Sequence, residues 1–561
     1  MRGIHDGKMQ DGKTVAEKRA ILEEVFAAQC AMLPEGAPKL FIPYKEVLPI
    51  FNAGLKVPKG TTIMWTNDNF GYIRRLGGPQ CEGYGGGIYW HISYHGSPHG
   101  YIHLCTTPPA FMWYELVAKC WANGVHDVWM VNAGDVFQAE VLLDAYGRFA
   151  ANPDYWMTRD APQTEALTMW TKENLLATKD TKSTKKCEHE NLCDLCVLCG
   201  KITSHLAEYY NLGFNRRPEH MCVQWTTNLP ATVKSSLLKR YYALLSEDIA
   251  IEDSLTNLCA SASLREKYFR LVGFQARFLA YAGIIHLEGR DRDYARNVID
   301  PLYERWDKLE GGKWSGFWCD TIDERGGKRQ LTNHNRWSSQ MQWPWNEPAD
   351  PYVTKDRGVE RVNYPATAYR ADVEEPIWLG PTTNVAANGG AWTRVEGLGT
   401  SGNALALLPV KPGVGKGAAV EFALPISRSS AVDSAQADSP FPISRSLVIQ
   451  FLPDFALWPG LKLGVEVSFD EGTAQYVAVP KSDSNIGEHD PVRNRAVQDN
   501  FIRVEVLVPR CANSVKVVAA DPGVVIDRVG VRVLVDAASS GKAGSSCCAA
   551  WKSQREANGS R

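Results

Sequence analysis

The stretch from Trp65 to Tyr101 collects acids, amides, histidines, arginines and aromatic residues within a short part of the sequence. Ordinary core strands do not combine these residue types, because charged groups are seldom fully buried. A carbohydrate site does combine them, since polar side chains hydrogen-bond to sugar hydroxyls while aromatic rings cover the apolar C–H faces. The residue types of this stretch therefore predict a carbohydrate-binding site.

Two acids directly follow predicted strands. Asp68 comes after a strand predicted at 61–65, and Asp135 comes shortly after Asn132, the last residue of a strand predicted at 128–132. Polar residues at the carboxyl ends of strands build the active site of a (β/α)8 barrel. Each acid also has a purely structural interpretation, because Asp after a strand is common in turns and at helix N-caps.

A histidine-rich run closes another predicted strand, at 87–94. His91 and Tyr94 lie near its end, where they could contact a sugar. His91, His95 and His99 have helical spacing, which would suit a metal, but the glycine and proline between them disfavour a helix. The remaining interpretation is that these histidines are structural.

Glu115 lies on a helix predicted at 108–121, with apolar neighbours at 111–113 and 116. Apolar surroundings favour the protonated form of a carboxyl group, as a general acid requires. Glycoside hydrolysis needs two carboxyl groups, one to protonate the leaving oxygen and one to activate water or attack the sugar. The alternative is an exposed helical glutamate without a catalytic role.

The densest cysteine cluster could bind zinc. It consists of Cys187, Cys193, Cys196 and Cys199, and its two overlapping C-x-x-C steps have zinc-ligand spacing. No second pair of cysteine or histidine ligands follows at the spacing usual for a zinc site. We therefore predict no metal and interpret residues 178–200 as a surface insertion with free or oxidisable thiols.

The order of predicted elements indicates a multidomain α/β protein. Helices at 14–33, 43–54 and 108–121, together with one that ends near 149, alternate with the three strands, which favours parallel βα units in an open sheet or a barrel. We predict βα units over 1–162, a helical bundle over 163–310, an irregular connection over 311–390, a β-sandwich over 391–536 and a disordered tail over 537–561.

The composition excludes some classes of protein. The formal net charge of −2 gives no basic excess for nucleic acid, and no apolar run is long enough for a membrane span. The start of the sequence, MRGIHDGKMQDG, has no apolar segment of the kind found in signal peptides.

Several segments in order resemble glycoside hydrolase family 115, the xylan α-1,2-glucuronidases. They are MRGIHDGKM, MWTNDNFGYIRRL, GGGIYWHISYHGSPHGY, the YELVAKCW helix, VWMVNAGD, FNRRPE at 214–219, and segments at 392–409 and 517–526. The resemblance implies a (β/α)8 catalytic domain, here in part, followed by a helical domain and a β-sandwich. It also implies that α-1,2-linked (4-O-methyl-)glucuronic acid is removed from glucuronoxylan or its oligosaccharides with inversion and without a cofactor.

The resemblance also implies roles for particular residues. Asp68 and Glu115 become the catalytic pair. The substrate pocket would contain His91, Asn132, Asp135 and Asn215, to which we add Tyr94 from the histidine-rich run. From the chemistry of guanidinium and carboxylate groups, we add Arg74 or Arg75 as a partner of the uronate.

The sequence also departs from the family pattern. Asn67 stands where the family usually has the first Asp of its D-D-N motif, and two pocket-lining segments, of the F-I-N-D-E and H-H-E-P types, do not occur in these 561 residues. We therefore expect this chain alone to be poorly stable and largely inactive, since half a barrel leaves open sheet edges. A non-catalytic carbohydrate-binding homologue is the alternative. Localisation is left undetermined, although the family is mostly exported, and a homodimer is left open.

Overall fold

The computed structural model covers the whole chain, and its described residues fall into separate ranges. They are 14–44, 47–67, 71–73, 75–93, 107–133, 136, 138–176, 190–218, 221, 225–226, 229–257, 262–315, 317–318, 343–345, 375–411, 413–425, 444–452, 464–478, 502–509, 512–521 and 523–534.

A four-stranded parallel sheet forms the first part of the molecule. Its strands are β1 (Lys39–Phe41), β2 (Thr61–Thr66), β3 (Gly85–His91) and β4 (Val128–Asn132), in that order across the sheet. β2 and β3 are mostly buried apolar residues, as expected for parallel strands covered on both faces. All four carboxyl ends therefore lie at one edge, which we call the carboxyl edge. The sequence analysis missed β1, which has only three residues.

Helices surround and extend this sheet. Their bounds are Val15–Met32, Leu48–Asn52, Pro109–Trp113, Glu140–Ala151, Pro153–Met157, Pro162–Trp170, Glu190–Asn215, Ala231–Asn257, Ala262–Tyr268, Phe274–Glu288 and Arg292–Asp307. The helix that starts at Pro109 continues as a π-helix over Tyr114–Cys120, and two further π-helical segments cover Thr171–Leu176 and Phe269–Gly273. None of the helices in the described ranges is long and apolar enough to cross a membrane.

A buried charge network ties the long helices together. Asp248 is fully buried and accepts hydrogen bonds from the Tyr268 hydroxyl at 2.6 Å and from Arg277 Nε at 2.5 Å. His205, also fully buried, lies 3.3 Å from Asp248 and 3.7 Å from Glu247. Burial alone would lower the pKa of His205, but the two carboxylates outweigh it and raise the pKa above its ordinary value. The pKa of Asp248 is lowered, because His205 and Arg277 outweigh the effect of burial.

Two antiparallel sheets form the C-terminal part, which we call the two-sheet unit (375–534). One sheet contains β5 (Ile377–Leu379), β7 (Ala391–Glu396), β8 (Asn403–Leu408), β10 (Ser444–Leu452), β13 (Ile502–Val508) and β15 (Val525–Leu534). The other contains β6 (Pro381–Val385), β9 (Ala419–Ala423), β11 (Gly464–Phe469), β12 (Gln475–Ala478) and β14 (Ser514–Ala519). Their facing side chains share one hydrophobic core.

The outer face of the six-stranded sheet packs on the rest of the protein. Val395, Ala404, Ala406 and Val525 belong to the same continuous core as the parallel sheet and the helices. Backbone contacts reinforce this packing, since Val410 N donates to Ala118 O at 3.0 Å. The two-sheet unit thus braces the helical segment that carries Glu115.

The structure differs from two predictions. Residues 377–385, expected to be part of an irregular connection, form β5 and β6. The strand β5 forms because it pairs with β15, since its own three residues show no alternation of polar and apolar side chains. Within the predicted surface insertion, residues 190–200 open the helix Glu190–Asn215, and Leu198 and Cys199 are buried in the core. Leu198, an apolar residue between Cys196 and Cys199, explains why this end of the helix packs on the core.

Candidate functional site

All four strands of the parallel sheet contribute polar or aromatic side chains near the carboxyl edge. Asn67 follows β2, His91 ends β3, Asn132 ends β4, and Tyr44 follows β1. The parallel register brings His91 beside Asn132 and Tyr89 beside Thr66. Strands that run in the same direction therefore place the predicted residues of three separate segments together.

Asn67 and His91 form a clamp between β2 and β3. The amide of Asn67 donates to His91 O at 3.0 Å, and its carbonyl oxygen accepts from His91 N at 2.7 Å. The same oxygen lies 2.9 Å from His91 Nδ1, so that nitrogen carries the proton and Nε2 is the acceptor unless the ring is protonated. Asn67 is fully buried and His91 is 5% exposed. The clamp fixes the strand end directly before Asp68 in the sequence.

Aromatic rings flank the imidazole of His91. The Tyr89 ring lies edge-on at 4.8 Å between centroids, and the Tyr44 ring lies at 5.9 Å. The Tyr89 hydroxyl accepts a hydrogen bond from the Asn132 amide. Both tyrosines and Asn132 are half-buried, so they combine ordered positions with contact to solvent. Such a mixture of rings, amide and imidazole suits hydroxyl and C–H recognition of a sugar.

Glu115 lies on the π-helical segment in a buried ion pair. Its Oε1 is 2.6 Å from Lys119 Nζ, and its Oε2 accepts from Ile73 N at 3.1 Å. The side chains of Glu115 and Lys119 are only 2% and 3% exposed. The carboxyl group therefore has a cation against it as well as the apolar neighbours expected from the sequence, and the alternative of an exposed helical glutamate is wrong. The i, i+4 spacing of Glu115 and Lys119 was the sequence signal for the pair.

Arg75, one of the two proposed uronate partners, has structural contacts. Its guanidinium donates to the Asn52 side chain and to Gly77 O, and it lies 5.4 Å from the Phe51 ring centroid. The residue is 5% exposed, and burial lowers the pKa of Arg75 below its ordinary value. In this arrangement Arg75 secures the segment after β2 and does not reach out to a substrate.

The other predicted site residues fall into two groups. Asn215 is described, and its amide donates to Asn211 O at 2.8 Å and Thr400 O at 3.2 Å, which joins the helical part to the two-sheet unit. None of its described hydrogen bonds reaches the carboxyl edge. The predicted residues Asp68, Arg74, Tyr94, Asp135 and Cys187 lie outside the described residues, as does the side chain of Cys193.

The two remaining residues of the cysteine cluster are described as free thiols. Cys196 is exposed, and Cys199 is buried next to Thr203. Burial raises the pKa of the Cys199 thiol, which keeps it protonated and a poor metal ligand. Among the residues that the structure describes, no three potential ligands gather to hold a metal ion.

Sequence reasoning missed three residues of this region. Tyr44 was hidden because the short strand before it was not predicted, and Lys119 because the helix was considered only for its acid. Tyr89 was quoted in the histidine-rich run but not singled out, although alternation within β3 places it on the same face as His91.

Comparison with known proteins supports the resemblance. Residues 1–193 match the model of Glycosyl hydrolase family 115. Among solved structures, the chain is similar to a family GH115 4-O-methyl-α-glucuronidase with specificity for decorated arabinogalactans, with a TM-score of 0.67 and 23% sequence identity. That similarity covers 95% of this chain and 64% of the other, so the chain spans less than two thirds of that relative.

A second solved structure, an uncharacterized protein from Listeria monocytogenes EGD-e, matches with a TM-score of 0.16 and 17% sequence identity. That match covers 29% of this chain and 12% of the other, and nothing about this protein is inferred from it. No curated protein matches the chain. The mixed α/β fold, with a parallel sheet and C-terminal antiparallel sheets, is consistent with the family GH115 structure. The resemblance to glycoside hydrolase family 115 is thereby confirmed, with residues 1–193 as the part of the chain that matches the family.

Proposed function

We propose that this protein is a glycoside hydrolase that removes α-1,2-linked (4-O-methyl-)glucuronic acid from xylan with inversion, at a site built on part of a (β/α)8 barrel. The observation that carries the proposal is the grouping of Asn67, His91 and Asn132 at the carboxyl edge of a parallel sheet. Catalytic residues of (β/α)8 barrels come from several strand ends at this same edge. The family match over residues 1–193 includes all of these positions.

The proposed catalytic groups are Asp68 and Glu115. In an inverting glycosidase one carboxyl group protonates the leaving oxygen, and the other removes a proton from the attacking water. Asp68 directly follows the clamped Asn67 in the sequence. Glu115 is joined to the same loop by its hydrogen bond from Ile73 N. His91, Asn132, Tyr94, Asp135 and Arg74 are proposed to hold the sugar and its carboxylate.

One observation favours a second function, that of a non-catalytic carbohydrate-binding homologue. Glu115 is 2% exposed, and its two oxygens are engaged by Lys119 and Ile73 N. A group in a structural ion pair needs rearrangement before it can exchange protons with a substrate. The cluster of rings and amides at the strand ends would still bind sugars in such a protein.

The test is release of glucuronic acid from aldouronic oligosaccharides of glucuronoxylan by the purified 561-residue protein, followed over long incubations. We expect slow release that is lost in Asp68→Asn and in Glu115→Gln. Binding of the oligosaccharide, measured separately by calorimetry, should persist in both variants. Absence of release by the parent protein with binding intact would contradict the hydrolase proposal and favour the binding homologue.

Matched controls come from elsewhere in the same fold. Asp127→Asn changes an acid that caps Gly86 N at 2.9 Å, at the opposite end of the sheet. Asp144→Asn changes an acid in an i, i+4 ion pair with Arg148, at 2.6 Å, on another helix. Both controls should keep the parent rate, because neither acid lies at the carboxyl edge. Equal losses in controls and test variants would show a general effect on folding.

A further inference from the structure

A cavity of about 320 Å³ opens in the two-sheet unit, away from the carboxyl edge. It lies where β15 changes partner, from β8 at Val525–Ile526 to β5 at Val529–Val531. Between these two pairings, Asp527 and Arg528 have no partner strand on that side within the described part of the chain. The volume is at the lower end of the range for small-molecule sites, which suits a ligand the size of a sugar.

A β-bulge shapes the cavity. The register of β10 against β15 slips between Gln450 and Phe451, which leaves Asp527 as the extra residue. Asp527 and Arg528 lie at this bulge, and both line the cavity together with Ile526 and Val529 on either side. Bulges commonly re-aim side chains next to functional sites.

Positive charge is available in the cavity. Arg394 is exposed and has no ion pair within the described ranges. Arg528 has no ion pair in these ranges either; its Nη2 donates a long hydrogen bond to Thr400 O at 3.4 Å, and its buried Nε has no hydrogen-bond partner among the described residues. The guanidinium of Arg503 lies 5.3 Å from the ring centroid of the lining residue Trp378, but it is paired with Glu375 at 2.9 Å and is already neutralised.

Asp527, the one acid among the described lining residues, already accepts several hydrogen bonds. Its oxygens accept from Ser401 N at 2.9 Å, Ser401 Oγ at 2.6 Å, Gln450 Nε2 at 2.5 Å and the Thr400 hydroxyl. Asp527 therefore orders the loop at 400–401 and offsets only one of the two arginine charges. The described residues of the lining therefore carry one positive charge more than they carry negative charge.

The remaining lining is suited to a ring. Trp378 forms one wall, with the Arg528 guanidinium 5.3 Å from its ring centroid, and Pro381 and Leu379 continue the apolar surface. Asn403 supplies an amide that can donate to and accept from hydroxyls. Aromatic wall, amide and two guanidinium groups together match a pyranose that bears a carboxylate.

We propose that this cavity is a second binding site, for the carboxylate-bearing sugar of an acidic saccharide. Arg528 and Arg394 hold the carboxylate, and Trp378 and its apolar neighbours cover C–H groups of the ring. The choice of glucuronate as the acidic sugar rests on the proposed function, whereas the preference for an anionic ring rests on the cavity alone. The site would keep the protein on uronate-bearing polysaccharide without taking part in cleavage.

The test is calorimetric titration of the 561-residue protein with sodium glucuronate, and separately with glucose and with inorganic phosphate. We expect glucuronate to bind with a dissociation constant in the millimolar range, and glucose and phosphate to bind at least about tenfold more weakly, since each matches only half of the site. To exclude the carboxyl edge, the titration is repeated on Arg74→Gln, which lacks the proposed uronate partner at that edge and should keep glucuronate binding in the cavity.

Two arginine variants and one control complete the experiment. Arg528→Gln and Arg394→Gln should each raise the dissociation constant for glucuronate roughly tenfold, since each removes a charge-assisted hydrogen bond. Arg394 is exposed, so its variant tests the site even if Arg528→Gln fails to fold. Lys416→Gln removes an exposed charge of the same unit outside the cavity and should have no effect.

Three results would overturn the inference. They are the absence of glucuronate binding, equal binding of phosphate, and unchanged affinity in Arg394→Gln. Glucuronate binding that responds to the arginine variants in a protein without hydrolase activity would support the cavity while contradicting the proposed function. Hydrolase activity without such binding would do the reverse.

Discussion

The buried pair of Glu115 and Lys119 allows the sharpest structural prediction. Replacing Lys119 by Met keeps a long, unbranched side chain but removes the ammonium group 2.6 Å from the Glu115 carboxylate. Because both side chains are at most 3% exposed, water cannot take over the role of the lost partner. Breaking a buried ion pair in this way typically costs about 3–5 kcal/mol of stability.

The double variant Glu115→Gln/Lys119→Met removes both charges. A neutral amide can still accept the hydrogen bond from Ile73 N, so most of the penalty of Lys119→Met should disappear. We therefore expect the double variant to be more stable than Lys119→Met alone by roughly 2 kcal/mol or more. A double variant more stable than the single variant indicates the cost of an unpaired buried charge. If only packing were lost, the second substitution would add to the stability loss of the first.

The assay is urea unfolding followed by tryptophan fluorescence, for the parent and each variant. Asp144→Asn serves as the matched control, because its ion pair with Arg148 has the same i, i+4 spacing but side chains that are 25% and 17% exposed. That control should change stability by no more than about 1 kcal/mol. If Lys119→Met behaves like this control, the ion pair is not the buried contact described above and the reasoning is refuted.

Two further predictions concern the helical part. Gly283→Ala should destabilise the protein by about 1–3 kcal/mol, because the new Cβ would lie 2.5 Å from the Tyr241 ring. Gly147→Ala, with open space at its Cβ, should stabilise the protein by about 0.5–1 kcal/mol. Thermal melts check both variants, and effects of the same sign would contradict the packing argument. The raised pKa of His205 means that the contribution of His205 to stability is complete below about pH 6.5 and is lost as the pH rises through its folded-state pKa. The lowered pKa of Asp248 means that the contribution of Asp248 is lost as the pH falls through its depressed folded-state pKa. Urea midpoints across pH should therefore show a loss above pH 6.5 that is absent in His205→Gln, and an identical profile in the variant would be the contrary result.

The parallel sheet was largely predictable from the sequence. Buried runs such as Thr61–Thr66 carry strong strand signals, and glycine-rich or polar segments bound them. The part of the chain predicted to form a β-sandwich, 391–536, also consists of β-strands, from Ala391–Glu396 to Val525–Leu534. Strands that depend on a partner were missed, as with Ile377–Leu379, whose three residues are held by β15 and have no periodicity of their own.

The candidate site was predictable in its residue types but not in its contacts. The sequence places Asn67, His91 and Asn132 at strand ends, and the register of parallel strands then brings them together. No local pattern in the sequence shows that both the NH2 group and the carbonyl oxygen of the Asn67 side chain would form hydrogen bonds with the His91 backbone. Likewise, Oε2 of Glu115 accepts a hydrogen bond from Ile73 N, forty-two positions earlier in the chain, and only tertiary packing creates that contact.

The most direct test of the central claim is a proton NMR time course of the 561-residue protein with a 4-O-methylglucuronic acid-substituted xylo-oligosaccharide. The account predicts that the β-anomer of the released uronic acid appears first, as inversion at an α-linkage requires, and that Asp68→Asn abolishes its release. Appearance of the α-anomer first, an undiminished rate in Asp68→Asn, or no released uronic acid at all would contradict it.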